Sequence, residues 1–143
     1  MQDTQIITTP YIHYRETVTQ KSTICSAYSP NNHNCFRVTV EPSPLGSYQT
    51  LYEKCNYKNI YDSQTRIWLF DQEGNVLTEE TKGVINLMEI KEHVISAFNW
   101  SISGGPLCDD VVRGVRFNVL DITLHSDTIH RGGGQVLPAA KRA

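Results

Sequence analysis

VRGVRFNVLDITLHSDTIHRGGGQ, residues 112–135, is the stretch of sequence that decides the fold. Val115, Phe117 and Val119 alternate with polar side chains, which is the period-two pattern of a β-strand with one buried face. At Leu120 the alternation changes phase, and the apolar residues continue on even-numbered positions. This change predicts either a β-bulge near Leu120 or a strand that is covered on both faces beyond it.

The second half of the same stretch predicts an exposed loop. The hydrophobic signal stops after Leu124, and turn-forming or hydrogen-bonding residues occupy positions 125–128. The glycines at 132–134 have no side chains to pack, so they predict a turn outside any packed element. A second helix is predicted to start just before Pro138, which is tolerated in a first helical turn. The sequence thus predicts that His130 lies at the tip of a strand–loop–helix unit.

Strands and turns are also predicted upstream of this stretch. Residues 11–18 and 23–28 have strand character, and the alternation over residues 36–40 predicts a hairpin partner for the second of them. Residues 29–34, SPNNHN, predict the hairpin turn, because proline fixes one dihedral and asparagine tolerates left-handed backbone. Residues 66–70, RIWLF, predict a further short strand, which is followed by a glycine-containing turn.

One long amphipathic helix is predicted over residues 83–101. Apolar residues recur there every three or four positions, as expected for a helix with one buried face. Thr78 or Thr81 is a candidate N-cap, and Gly104 is predicted to end the helix. The apolar stripe comprises Leu87, Ile90, Val94, Ala97 and Phe98, widened by Ile85, Met88 and Ile95, whereas Glu89, Lys91, Glu92 and His93 are predicted to face water.

The order of these elements predicts an α+β fold. Four strands precede the long helix, and one strand and the start of a second helix follow it. This order favours a single mixed or antiparallel sheet backed by helices on one face. At 143 residues the chain has the length of one domain, with residues 1–10 as a flexible lead-in and residues 11–143 as the folded part. Residues 42–65 predict a loop with one helical turn. Its several tyrosines are predicted to cover the edge of the core, and a base-stacking platform is the less favoured interpretation.

Composition excludes several classes of protein. No apolar run approaches the roughly 18 residues of a membrane span, and the polar first ten residues do not form a signal peptide. Four widely spaced cysteines favour reduced thiols in a cytoplasmic protein. The net charge of −2 argues against a general nucleic-acid binder. Residues 111–143 nevertheless hold five basic and two acidic side chains, so positive charge gathers beside the glycine loop.

Three kinds of chemistry are compatible with a loop that holds His125, Asp127 and His130. A metal site would need converging imidazoles, and the five-residue spacing of the two histidines fixes no geometry, so no metal ligand is assigned. An acid–base site would use a His/Asp pair, but no nucleophile motif accompanies it. An RNA contact would use imidazoles that stack on bases, the guanidinium of Arg131 on phosphate, and glycine amides that approach a groove closely.

The sequence RGVRFNVLDITLHSDTIHRGGGQVLP resembles domain IV of elongation factor 2, the ribosomal translocase of archaea and eukaryotes. The resemblance implies a fold like the second domain of ribosomal protein S5. It implies that His130 is the histidine converted to diphthamide by the diphthamide-synthesis enzymes and the acceptor for toxin-catalysed ADP-ribosylation. It also implies that the hairpin turn at residues 29–34 lies at the same tip as this histidine.

The family resemblance further implies a role in GTP-dependent translocation. The partners would be the small ribosomal subunit, tRNA and mRNA, and the tip would contact the codon–anticodon duplex by its shape rather than its sequence. The residues expected to make that contact are Asn32, His33, His125, Asp127, Arg131, Gly132, Gly133 and Gly134.

The sequence contains no Gly-x-x-x-x-Gly-Lys-[Ser/Thr] motif, so these residues are expected to lack GTPase activity and to hold no cofactor. GTP and magnesium would belong to another domain of a longer parent protein, of which this chain would be a fragment that ends within its last helix. Two alternatives stay open. One is the spliceosomal relative of elongation factor 2, which shares the His-Arg-Gly-Gly-Gly-Gln run, and the other is a stand-alone RNA or protein interaction module.

Overall fold

A computed structural model describes residue 10 and residues 12–44 and 64–143 of the chain, and these form one five-stranded sheet and two α-helices. The predicted loop at residues 42–65 lies almost wholly outside the described residues, as does nearly all of the predicted lead-in. The elements are β1 (Cys25–Tyr28), β2 (Cys35–Pro42), β3 (Arg66–Phe70), β4 (Val76–Glu79), α1 (Leu87–Ser103), β5 (Val115–Thr123), a 3-10 helix (Thr128–Arg131) and α2 (Gly133–Arg142).

The sheet is mixed, and the predicted α+β class is confirmed. Its strand order is β1-β2-β5-β4-β3, so β5 lies in the centre. The pairs β1/β2, β2/β5 and β3/β4 are antiparallel, whereas β4 and β5 run parallel. A parallel pair needs a crossover, and the long helix α1 provides it between β4 and β5.

Of the two alternatives predicted for the phase change at Leu120, the structure shows the β-bulge. In the ladder with β2, Arg37 pairs with Asp121 and Val38 pairs with Val119, so Leu120 is the unpaired extra residue. Val119 on one side of the bulge and Ile122 on the other are both buried. The bulge therefore keeps the apolar side chains on the core face after the phase of the sequence changes.

Strand β4 was not predicted from the sequence. All four of its residues are buried, and it lies between β3 and β5. A strand that is buried on both faces shows no alternation of apolar and polar residues, and this alternation is the pattern from which strands are usually predicted. The turn before β4 does follow the prediction, because Gly74 adopts a φ of 80° and the Asp71 N–H donates to the Asn75 carbonyl at 2.9 Å.

The prediction of a strand at residues 11–18 is wrong. In the described part of this segment, only Glu16 forms a β-bridge, with Val112. The segment is held mainly by the buried Glu16 carboxylate, which accepts the N–H groups of Leu107 at 2.6 Å and Asp110 at 3.0 Å. A side chain in a loop takes the place of the expected strand pairing.

Helix α1 begins four residues later than predicted. Its N-cap is Asn86, which has a left-handed φ of 64° and makes no capping hydrogen bond with its side chain. Neither Thr78 nor Thr81 caps it, since Thr78 lies in β4 and the Thr81 hydroxyl donates to a carboxylate. Gly104 is the C-cap, as predicted.

The buried stripe of α1 is narrower than predicted. Ile85 and Met88 are 79% and 71% exposed, so the prediction that they widen the stripe is wrong. The buried stripe comprises Ile90, Val94, Ala97, Phe98 and Ile102. It packs on α2 and on the core face of the sheet, where Phe36, Val38, Leu77, Val115, Val119 and Ile122 are buried.

The opposite face of the sheet carries a charged network. The guanidinium of Arg116 donates to Glu41 at 2.6 Å, to Glu80 at 2.9 Å and to the hydroxyl of Thr78 at 2.9 Å. This network separates a polar face from the apolar face under the helices. Among the described cysteines, Cys25, Cys35 and Cys108 are free thiols.

Candidate functional site

Two loops meet at one end of the sheet and form the candidate site, which we call the histidine tip (residues 29–34 and 125–132). The first loop joins β1 to β2. The Ser29 N–H donates to the Asn34 carbonyl and the Asn32 N–H donates to the Ser29 carbonyl, both at 2.8 Å, which closes the predicted turn. Asn32 adopts a φ of 59°, a left-handed conformation that asparagine tolerates well. The turn carries His33 in an exposed position.

The second loop follows β5 and contains the 3-10 helix. The Asp127 carboxylate accepts the Ile129 N–H at 3.1 Å and so caps this short helix, while the Asp127 carbonyl accepts the His130 N–H at 3.1 Å. Nδ1 of His125 accepts the Asp127 N–H at 3.0 Å. Neutral His125 therefore carries its hydrogen on Nε2, which is left as a donor. Asp127 is exposed, but its side chain shapes the loop.

The two loops bring three imidazole rings into mutual contact, and we call these rings the imidazole cluster. The ring centroids of His33 and His125 are 4.8 Å apart, those of His33 and His130 are 4.6 Å apart, and those of His125 and His130 are 4.5 Å apart. The rings are tilted or edge-on to one another. His130 is half-buried, because the other two rings cover part of it.

Asparagine side chains lock the two loops together. The His130 carbonyl accepts the side-chain amide of Asn34 at 2.7 Å and that of Asn31 at 2.9 Å. The Asn34 carbonyl oxygen accepts the His125 N–H at 3.0 Å, and the Gln135 side chain accepts the Asn31 N–H at 2.9 Å. The sequence analysis did not assign Asn31, Asn34 and Gln135 to the site, although asparagine in a turn is the residue type that makes such bonds.

Arg131 was expected to reach outward to phosphate, and the structure places it inward. It is 7% exposed, and its guanidinium forms an ion pair with Glu89 of α1 at 2.9 Å. The same group donates to the carbonyls of His125 at 3.0 Å and Ser126 at 2.7 Å. All of these acceptors belong to the protein, so Arg131 braces the loop and is not presented to a ligand.

The glycines also differ from the prediction. Gly133 and Gly134 form the first turn of α2, and only Gly132 lies outside the helix as its N-cap. A Cβ atom on Gly133 would stand 2.7 Å from the ring of His93, which is half-buried rather than solvated as predicted. A side chain at position 133 would therefore require the His93 ring or α2 to move. Gly132 and Gly134 are exposed, with no atom within 4 Å of their added Cβ positions.

Two negative findings apply to the described residues only. No group of three or more His, Cys, Asp or Glu side chains among them has an arrangement that could hold a metal ion. No helix among them is both long enough and apolar enough to cross a membrane.

The tip thus combines aromatic rings, hydrogen-bond donors and an exposed apolar side chain on a braced support. Imidazoles can stack on a base and can donate to or accept from its edge. Ile129, next to His130, is 80% exposed and adds an apolar contact. These groups suit a flat, polar partner such as nucleic acid better than a small substrate that needs an enclosed pocket.

The fold and the tip define an α+β domain that presents a rigid, histidine-rich end. Residues 64–143 match the family described as elongation factor G, domain IV. Because the match covers more than half of the chain, the chain belongs to the family of elongation factor G domain IV. It is therefore a translation elongation factor domain, of a kind that acts in translocation on the ribosome and with tRNA. The match includes the loop with His125 and His130, whereas the turn with His33 lies before it.

Proposed function

We propose that this domain acts as elongation factor 2 domain IV does, and that its histidine tip contacts the codon–anticodon duplex in the small ribosomal subunit. The carrying observation is the mutual contact of His33, His125 and His130 across two separate loops. A cluster assembled from two loops presents a fixed surface, and a fixed surface reads the shape of an RNA minor groove without reading its sequence. A translocase needs such a contact because it must act on every codon.

The support behind the tip fits this role. The cluster is held by the buried amide of Asn34, by the half-buried amide of Asn31 and by the Arg131–Glu89 ion pair, which connects the loop to α1. Helix α1 has 17 residues, so it reaches about 25 Å from the tip toward the other end of the domain. A force transmitted through the domain would therefore move the tip as one piece with the helix.

The proposal is tested by the binding of the chain to a short A-form RNA duplex, followed by fluorescence anisotropy. Alanine at His33, at His125 or at His130 is expected to weaken binding, because each substitution removes one ring of the cluster. Alanine at His13 is the matched control, since His13 is exposed on the N-terminal segment and is not part of the tip. Equal affinity in all four variants would contradict the proposal.

We also propose that His130 is the residue that carries the diphthamide modification and thereby the acceptor for ADP-ribosylation. The support for this is the HRGGGQ sequence at residues 130–135 and the position of His130 at the tip. Intact-mass and peptide analysis of the protein from its native host tests it. A mass increment that maps to His130 supports a translational role, and an unmodified histidine favours a spliceosomal or stand-alone relative.

A further inference from the structure

A third loop borders the histidine tip, and we call it the side loop (residues 82–86). It connects the end of β4 to α1 and forms a wall of two surface grooves. One groove is also lined by His125 and Ser126 of the tip. The other runs along β3 and the first turns of α1, past Trp68 and Lys91. The two grooves share Lys82, Gly83, Val84 and Asn86, so both border the side loop, and we call the two grooves together the path.

Two lysines along this path have no ion-pair partner among the described residues. Lys82 is exposed and makes no ion pair within the described part of the chain. Lys91 likewise has no ion pair there, and its ammonium lies 5.9 Å from the ring centroid of Trp68.

Of the three carboxylates that line the path, two are held by arginines. Glu79 is bound by Arg66 and Glu89 by Arg131. The third, Asp121, is the cross-strand neighbour of Arg37 but forms no ion pair with it within 4.0 Å. Among the described residues that line the path, two unpaired lysines therefore stand against one unpaired carboxylate, so the balance of unpaired charge is positive although the whole chain has a net charge of −2.

The side loop also exposes an apolar side chain beside these cations. Ile85 is 79% exposed, and it lines the groove that reaches His125. Gly83 has a φ of 67° and Asn86 a φ of 64°, so two left-handed residues set the course of the loop. A surface that alternates lysine with exposed apolar and aromatic groups suits a single nucleic-acid strand, which offers phosphates together with riboses and bases.

We propose that the side loop is a third RNA-contacting loop, which binds a single-stranded RNA segment that continues from the duplex held at the histidine tip. Lys82 contacts the phosphate backbone of that segment. This inference rests on the proposed contact of the tip with an RNA duplex, and it adds a second surface and a second form of RNA to it.

The test compares a blunt RNA duplex with the same duplex that carries a single-stranded overhang. The overhang is expected to tighten binding to the unmodified chain. Lys82→Ala is expected to abolish this gain and to reduce the slope of log affinity against log salt concentration by about 1. Lys21→Ala is the matched control, because it removes the same charge from an exposed lysine near the end of β2 remote from the tip.

The outcomes separate the two proposals. If the blunt duplex binds through the tip histidines but the overhang gives no gain, the side-loop proposal is overturned and the tip proposal stands. The side-loop proposal is also overturned if Lys82→Ala and Lys21→Ala behave alike. If neither RNA binds, both proposals are overturned. A gain from the overhang that Lys82→Ala removes, together with the smaller salt slope, supports the side loop as an RNA contact.

Discussion

At the scale of single residues, Asn34 connects the two loops of the histidine tip. Its side chain is fully buried and makes three hydrogen bonds, to the His130 carbonyl, the His125 N–H and the Ser29 hydroxyl. Buried polar groups cost free energy when they lack a partner, so each of these bonds depends on the others. The positions of two rings of the imidazole cluster therefore depend on one amide that cannot itself touch a ligand.

Asn34→Ala is expected to lower the free energy of unfolding by about 2 kcal/mol, because it leaves the His125 N–H without its partner in a partly buried site. It is also expected to shift the NMR signals of the rings of His125 and His130. Urea unfolding and histidine ring spectra measure the two effects. Asn99→Ala, at an exposed position of α1, is the control; it should leave the ring signals unchanged and should not lower the free energy of unfolding, because alanine favours a helix more than asparagine does. Unchanged ring signals in Asn34→Ala would show that the amide does not position the cluster.

Residue types alone could predict which side chains gather at the tip, but not which way each one points. His33, His125 and His130 were assigned to the tip, and the structure brings their rings together. Arg131 was assigned as an RNA contact, yet its side chain is buried and paired with the carboxylate of Glu89, 42 positions away in the chain. A partner so distant leaves no local signal, so the direction of an arginine in a loop is a tertiary property.

At the scale of elements, the glycine run couples α2 to α1. Its middle residue, Gly133, faces the ring of His93, and its last residue, Gly134, faces open space. The sequence shows three identical residues in a row, and only the packing of the two helices distinguishes them. This is why sequence reasoning placed all three in a loop, and why it placed the start of α2 too late.

Gly133→Ala is expected to lower the thermal unfolding midpoint, because the added methyl group would stand 2.7 Å from the His93 ring and force either that ring or α2 to move. A cost of about 1–3 kcal/mol is typical of such overpacking. Gly134→Ala is the matched control. It adds the same group without a contact within 4 Å and should stabilise α2 by about 0.5–1 kcal/mol. Equal midpoints for the two variants would contradict this account.

The strands, like the glycine run, could be predicted only where the local sequence shows the pattern of burial. The central strand β5 could be predicted because one face is buried and the alternation is visible, whereas the phase change at Leu120 left a bulge as one of two alternatives. Strand β4 could not, because its four residues are all buried. The residue types around Glu16 predict a strand, but the Glu16 carboxylate instead accepts hydrogen bonds from the loop that follows α1. For β4 and for the segment around Glu16, contacts with residues distant in the sequence determine the structure, and the local sequence does not show them.

At the scale of the whole molecule, ionised carboxylates hold separate parts of the domain together. Burial alone would raise the pKa of Glu16, but the N–H groups of Leu107, Cys108 and Asp110 outweigh it and hold that pKa below its ordinary value. Burial opposes ionisation of Glu79 as well. There the bonds from Arg66 and Thr81 prevail, and the pKa is again lowered.

Each of these two carboxylates joins distant segments. Glu16 joins the N-terminal segment to the loop that follows α1, and Glu79 joins β4 to the outer strand β3 through Arg66. A carboxylate whose pKa is lower in the folded state stabilises the fold at neutral pH, and this contribution is lost as the pH falls through the lowered pKa. Acid should therefore loosen the N-terminal segment and the β3 edge, which lie at different places in the domain.

Glu79→Gln is expected to destabilise the domain at neutral pH by about 2 kcal/mol, because a buried charge-assisted pair with Arg66 is lost. As the pH falls below the ordinary glutamate value of 4.5, the unmodified chain should lose stability faster than the variant, and the gap between their unfolding midpoints should narrow. Circular dichroism melts across this range measure the gap. Glu92→Gln, which changes an exposed carboxylate on α1, is the control, and its unfolding midpoint should match that of the unmodified chain at every pH. A gap that stays constant through acid pH would mean that the Glu79 carboxylate is not the group whose protonation weakens the β3 edge.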